Sequence, residues 1–115
     1  MLNEPLEIAE YIARVMDDKK AEDIEVLEIK TLTVIADYFV ICTGKSSTQV
    51  SSICDEIQEK MEGQGIRAGH IEGLRGNNWI LMDYGSVVAH IFSPADRDFY
   101  KLDRVWADAK QLDFK

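Results

Sequence analysis

The run Trp79-Ile80-Leu81-Met82-Asp83-Tyr84-Gly85-Ser86-Val87-Val88-Ala89-His90-Ile91-Phe92 constrains the fold more than any other stretch of this chain. Two β-compatible segments flank the pair Gly85-Ser86, the pattern of a two-residue hairpin with a primed turn. A turn of that length also sets the register. On one side of the ribbon Trp79 faces Phe92, Leu81 faces His90 and Asp83 faces Val88; on the other, Ile80 faces Ile91, Met82 faces Ala89 and Tyr84 faces Val87. The second side is almost purely apolar and is expected to face the core. The first mixes a tryptophan, a phenylalanine, a carboxylate and an imidazole. That mixture suits a recognition surface, with aromatic anchors beside a few directional polar groups. It also suits a sheet face covered by amphipathic helices, and the pattern alone leaves both readings open.

The remaining elements follow from periodicity and end signals. Asn3-Glu4-Pro5 opens a first helix, with Pro5 at the first helical position and an apolar stripe of Ile8, Tyr11, Ile12, Val15 and Met16. After a charged connector, Ile24 to Ile29 alternates like a half-exposed strand, and Tyr38 to Cys42 is continuous and apolar, as a central strand would be. Gly44-Lys45-Ser46-Ser47 turns the chain into a second helix. Ser46 and Gln49 make a capping-box pattern there, Val50, Ile53, Cys54, Ile57 and Met61 form the stripe, and Gly63 is the stop. A strand from Ile66 to Glu72 precedes the hairpin. Ser93-Pro94-Ala95-Asp96 then starts a last helix whose buried stripe is Phe99, Leu102, Trp106 and Ala109. The order α-β-β-α-β-β-β-α predicts one α/β sandwich over residues 1–115, with a mixed sheet of about five strands. Its crossover from the central strand through the second helix to Ile66–Glu72 is long enough to make a parallel pair. If the helices lie mainly on one side, the opposite sheet face is free.

Net charge is −8, from 21 acidic against 13 basic residues. That balance disfavours DNA or RNA binding, which needs Lys and Arg to replace condensed counterions. It fits a partner with a basic surface, and equally it fits plain solubility. The apolar stretches fall far short of a membrane span and the N-terminus does not read as a signal peptide, so a cytoplasmic protein is expected. Cys42 and Cys54 show no metal-type spacing and read as reduced, buried thiols.

Candidate chemistries fail on inspection. Gly44-Lys45-Ser46 invites a P-loop reading, but the first glycine of that motif would fall at Phe39. A Gly-Ser turn opening a helix also suggests a nucleotidyltransferase, which needs paired acids on the next strand to hold Mg²⁺. That strand carries only Glu72. Asp37, Asp83, His70 and His90 offer no acid pair or His pair at a ligand spacing, and no serine sits in a nucleophile elbow. No catalytic residue, metal site or cofactor is expected.

Read together, Asp37 to Ser47, His70-Ile71-Glu72-Gly73, Trp79 to Gly85, Val88 to Phe92 and Arg97 to Trp106 closely resemble the ribosomal silencing factor family, also called Iojap-related. The resemblance runs from about Ile8 to Ala109, and the short N-terminus looks like a bacterial member rather than an organellar one. It implies a non-enzymatic translation regulator that binds the large ribosomal subunit through ribosomal protein L-fourteen. Bound there, such a factor sterically blocks joining with the small subunit when nutrients are scarce. It further implies a homodimer in the free state and a fold related to nucleotidyltransferases without their catalytic acids. The two lines of reasoning meet at the hairpin. Trp79 is expected as the anchor of a docking patch that also includes His90, with Leu81 and Phe92 as its apolar surround, Asp83 and Glu72 as acceptors for partner Lys or Arg, and Tyr84 as a marginal member. The alternatives are an enzyme or nucleotide binder on the same fold, and a generic adaptor for another basic protein.

Overall fold

The computed structural model describes residues 2–74, 76, 78–100 and 108–112, the side chains of 98–100 excepted. Its elements are α1 (Pro5–Asp18), β1 (Glu22–Glu28), β2 (Tyr38–Thr43), α2 (Ser47–Gly63), β3 (His70–Glu72), β4 (Trp79–Asp83), β5 (Val87–Phe92), α3 (Pro94–Tyr100) and β6 (Lys110–Leu112). They form an α/β sandwich around one six-stranded mixed sheet of order β3-β4-β5-β2-β1-β6. One strand more than expected is present, because β6 adds antiparallel to β1 and covers what would otherwise be an edge.

The hairpin has the register that its turn dictates: Trp79 opposite Phe92, Leu81 opposite His90, and Asp83 opposite Val88. Gly85 sits at φ +84°, while Ser86 is absent from the positive-φ residues, so glycine occupies the one left-handed position of a II′-type turn. The Tyr84 N–H donates to Val87 O at 2.9 Å and closes it.

Both central strands are buried along their whole length. β2 and β5 run parallel, from Tyr38 beside Val87 to Thr43 beside Phe92. The parallel partner of β2 is therefore β5 and not the strand at Glu72. β3 does run in the expected direction, but β4 and β5 lie between it and β2. The strand expected over 66–72 is also shorter, because Ile66 is used by the helix before it. Ile66 N–H donates to Met61 O and Gly65 N–H to Glu62 O, with Gly65 at φ +78°, which is a Schellman end for α2. The left-handed stop is thus Gly65, two positions beyond the expected Gly63.

α1 and α2 cover one sheet face. Ile12, Val15 and Met16 of α1, and Val50, Ile53, Cys54, Ile57 and Met61 of α2, pack on Val26, Val40, Cys42, Ile80, Met82, Ala89 and Ile91. Ile8 and Tyr11 are only half-buried at the rim, and Ala9 and Ala13 fill the stripe instead, letting α1 lie close to the sheet. The opposite face is not free. Leu27, Ile29, Ala36, Phe39, Ile41, Val88 and Phe92 form a second buried cluster there, with Trp79, Leu81 and Ala109 packed at its margin. Of the stripe expected in the last helix, Phe99, Leu102 and Trp106 lie outside the described side chains. Arg97 pins α3 to the sheet: Nη2 donates to Glu25 Oε2 at 2.7 Å, and Nη1 to Asp23 O and Thr43 Oγ1 at 3.1 Å. Glu25 ends a β-bulge in β1, so one guanidinium joins the bulge, the end of β2 and the start of α3.

Two glycine substitutions should move stability in opposite directions. Gly85→Ala puts a Cβ on a left-handed residue and should cost about 1–2 kcal/mol in urea unfolding. Gly63→Ala, at the end of α2 with nothing within 4 Å of the new methyl group, should add roughly 0.5–1 kcal/mol.

Candidate functional site

Strand register brings most of the expected docking residues onto one strip. Glu72 lies opposite Leu81 and His70 opposite Asp83, so His70, Glu72, Trp79, Leu81 and Asp83 share the second sheet face at its β3–β4 edge. Glu72 is exposed and its Oε1 meets His70 Nε2 at 2.9 Å. Trp79, Leu81 and Asp83 are half-buried. The strip is the open margin of an otherwise covered face, with apolar side chains beneath and carboxylates at the rim. Gly73 makes its upper corner possible. At φ +90° it passes so close to β4 that a Cβ would stand 2.0 Å from Trp79 O.

Two of the expected contact residues lie below this surface instead of on it. Phe92 has 0% and His90 3% of its area exposed. Their positions on β5, one strand further in, explain this: β4 and β2 flank them, and the second apolar cluster closes over them. They support the strip and cannot be direct contacts. Trp79 stacks on Phe92 with ring centroids 5.0 Å apart, and His90 stands edge-on to Phe39 at 4.6 Å. The Trp79 indole Nε1–H donates to His90 Nδ1 at 3.1 Å. A neutral imidazole that accepts at Nδ1 carries its own proton on Nε2. That nitrogen is buried with no hydrogen-bond partner among the described residues, an arrangement that typically costs about 1–3 kcal/mol. Burial also pushes the imidazole pKa down to about 4.

Tyr84 turns away from the strip, as its register requires, and packs half-buried against the first cluster. Its hydroxyl is buried without a partner among the described residues, and burial, with Cys54 and Glu62 nearby, raises its pKa to about 12. Asp83 has a structural task as well, because its Oδ1 accepts the Gly85 N–H at 2.7 Å and braces the hairpin turn.

The start of α2 is occupied by its own chain. Ser46 Oγ accepts the Gln49 N–H at 3.2 Å, and Gln49 Oε1 accepts the Lys45 N–H. The glutamine therefore reaches one residue beyond the capping-box partner, while its Nε2 donates to Lys19 O and Lys20 O at 3.2 and 3.3 Å. Gln49 thus ties the end of α1 to the start of α2. Among the described residues no group of three or more His, Cys, Asp or Glu could hold a metal ion, and no helix is long and apolar enough to cross a membrane. Cys42 and Cys54 are free and buried. Burial lifts their thiols to about 12 and about 11, which keeps both unreactive.

Comparison with known proteins identifies the class to which this α/β sandwich with a half-open aromatic edge belongs. The family model described as "Ribosomal silencing factor during starvation" matches residues 3–115. A ribosomal silencing factor from Bacillus subtilis is 40% identical over 106 residues, covering 92% of this chain and 90% of that protein. The chloroplastic protein Iojap of Arabidopsis thaliana is 34% identical over 96% of this chain, which spans 46% of that longer protein. A crystal structure from Chromobacterium violaceum superposes with a TM-score of 0.88 at 31% identity, covering 91% of this chain and 88% of that one. A second, from Bacillus halodurans, gives 0.78 at 34% identity, covering 94% and 95%. The chain belongs to the ribosomal silencing factor family.

The imidazole makes stability depend on pH with a defined sign. Its folded pKa, about 4, lies below the ordinary 6.5, so the unfolded chain binds this proton first as pH falls. Stability from the neutral group is complete above about 6.5 and is lost between there and about 4, by something on the order of 3 kcal/mol. Urea midpoints for wild type and His90→Leu, compared at neutral pH and near pH 4.5, should show the steeper loss in wild type.

Proposed function

We propose that this chain silences translation by docking on the large ribosomal subunit through the strip Glu72, Trp79, Leu81 and Asp83. Its contact there is ribosomal protein L-fourteen, and its bulk then blocks joining with the small subunit. The observation that carries the reading is the half-open aromatic margin rimmed by acids, on a member of the silencing-factor family whose net charge is −8. Half-burial is what an anchor residue needs. Trp79 is held by Phe92 below and still offers ring surface that a partner can desolvate. The two carboxylates are suited to Lys or Arg on a basic partner. His90 and Phe92 act from beneath, and Tyr84 belongs to the core side. The free protein is, on this reading, a homodimer, which sedimentation equilibrium without ribosomes would show as twice the chain mass.

Sucrose-gradient sedimentation of mixed subunits tests the reading. Wild type should travel with the large subunit and deplete joined ribosomes. Trp79→Ala should weaken large-subunit binding by about 2 kcal/mol or more. Because the ring is half-buried, it should also cost part of the roughly 3–5 kcal/mol typical of a core aromatic, so binding must be measured below its unfolding midpoint. Glu72→Lys is the cleaner charge test, since Asp83 also braces the turn. It should bind less tightly with folding intact, and the deficit should shrink as salt rises. Normal anti-joining activity in both variants would mean that another face docks.

A further inference from the structure

His90 is a polar side chain in an almost fully buried, largely aromatic setting. Its neighbours Phe39 and Phe92 are aromatic, its exposure is 3%, and one of its two nitrogens has no hydrogen-bond partner among the described residues. A buried polar group that is only half satisfied breaks the local rules for a stable core, and such exceptions concentrate where function needs them. The other nitrogen shows what is gained. It accepts the indole N–H of Trp79 across the strand pair.

We propose that His90 is a positioning residue for the docking strip, holding the Trp79 indole through the Nε1–H···Nδ1 bond in the orientation that meets the partner. The inference rests on the docking reading above and adds a residue that does not itself touch the partner. Among the described residues, stacking and the N–H···N bond restrict different motions of the indole. Stacking on Phe92, with the planes 25° apart, sets the plane of the ring. Stacking has no preference for which edge of the ring points inward, because both faces of the indole pack alike on a phenyl ring. The N–H···N bond is directional and admits one of the two flipped orientations, with the N–H toward His90. A ring fixed before encounter loses less rotamer freedom on binding, which raises affinity without a new contact. The tether requires a neutral imidazole, since a protonated one would set two N–H groups against each other. Burial among aromatic rings keeps it neutral at ordinary pH.

His90→Leu and His90→Asn separate this role from simple packing. Leucine keeps the volume apolar and removes the acceptor. Large-subunit affinity should fall about tenfold, the scale of one ordered side chain, while the melting temperature holds or rises. Asparagine can place its carboxamide oxygen near the position of Nδ1 and should return affinity to within about threefold of wild type. In ¹⁵N-labelled wild-type protein, the indole Nε1 of Trp79, assigned through Trp79→Phe, should show a through-bond coupling to an imidazole nitrogen. His90→Leu should abolish it. Wild-type affinity in His90→Leu, or no coupling in the wild-type protein, overturns the proposal, and the second result decides it even if neither variant folds. If Trp79→Ala itself binds normally, the docking reading fails and takes this role with it. If Trp79→Ala loses binding while His90→Leu keeps it, only the positioning role fails.

Discussion

The parallel pairing of β2 with β5 is the interaction on which the rest of the structure depends. Both strands are buried from end to end, and no residue between Tyr38 and Thr43, or between Val87 and Phe92, reaches solvent appreciably. Strands buried on both faces must carry apolar side chains in both directions, and so create two separate apolar layers. The layer under α1 and α2 is complete. The second, around Phe39, Ile41, Val88 and Phe92, thins toward the β3–β4 edge, where Trp79 and Leu81 are only half covered. The proposed docking margin therefore arises from the way the sheet is filled. The Trp79 ring is an extension of the protein's own core.

This arrangement explains the division of labour along the hairpin. Side chains pointing to α2, such as Ile80, Met82 and Ile91, are fully buried and interchangeable in kind with other core aliphatics. Those pointing the other way are chemically diverse and grade from buried His90 and Phe92 on β5 to exposed Glu72 on β3. Depth is set by strand order and not by residue type. The same order explains Arg97, whose guanidinium closes the far end of this face by bridging Glu25 and Thr43.

What could be read in the sequence was whatever short-range physics decides. The hairpin register follows from a two-residue turn whose first position is glycine, and the buried stripe of α2 follows from helical spacing. The family too was legible, because its motifs occur in order along the chain. What could not be read depends on partners far away in the chain. The β2–β5 pairing joins segments separated by α2, β3 and β4, and no local pattern distinguishes it from pairing with β3. The burial of His90 and Phe92 could not be seen either, since a side chain's face follows from alternation but its depth needs the strand order. Ile66 has strand-like chemistry, yet it is taken by the Schellman end of α2, a competition decided by Gly65 one residue earlier. No local pattern in the sequence explains Gly73. Its need for the absence of a Cβ appears only when Trp79 O lies against it.

Hydrogen–deuterium exchange of the intact protein with and without purified large subunits tests the central claim most directly. Backbone amides across residues 70–84 should become protected on the large subunit, with α1 and the outer face of α2 exchanging as they do in the free chain. Protection confined to α1 and α2, with the stretch from His70 to Tyr84 unchanged, would contradict the account and move the docking surface to the opposite side of the sheet.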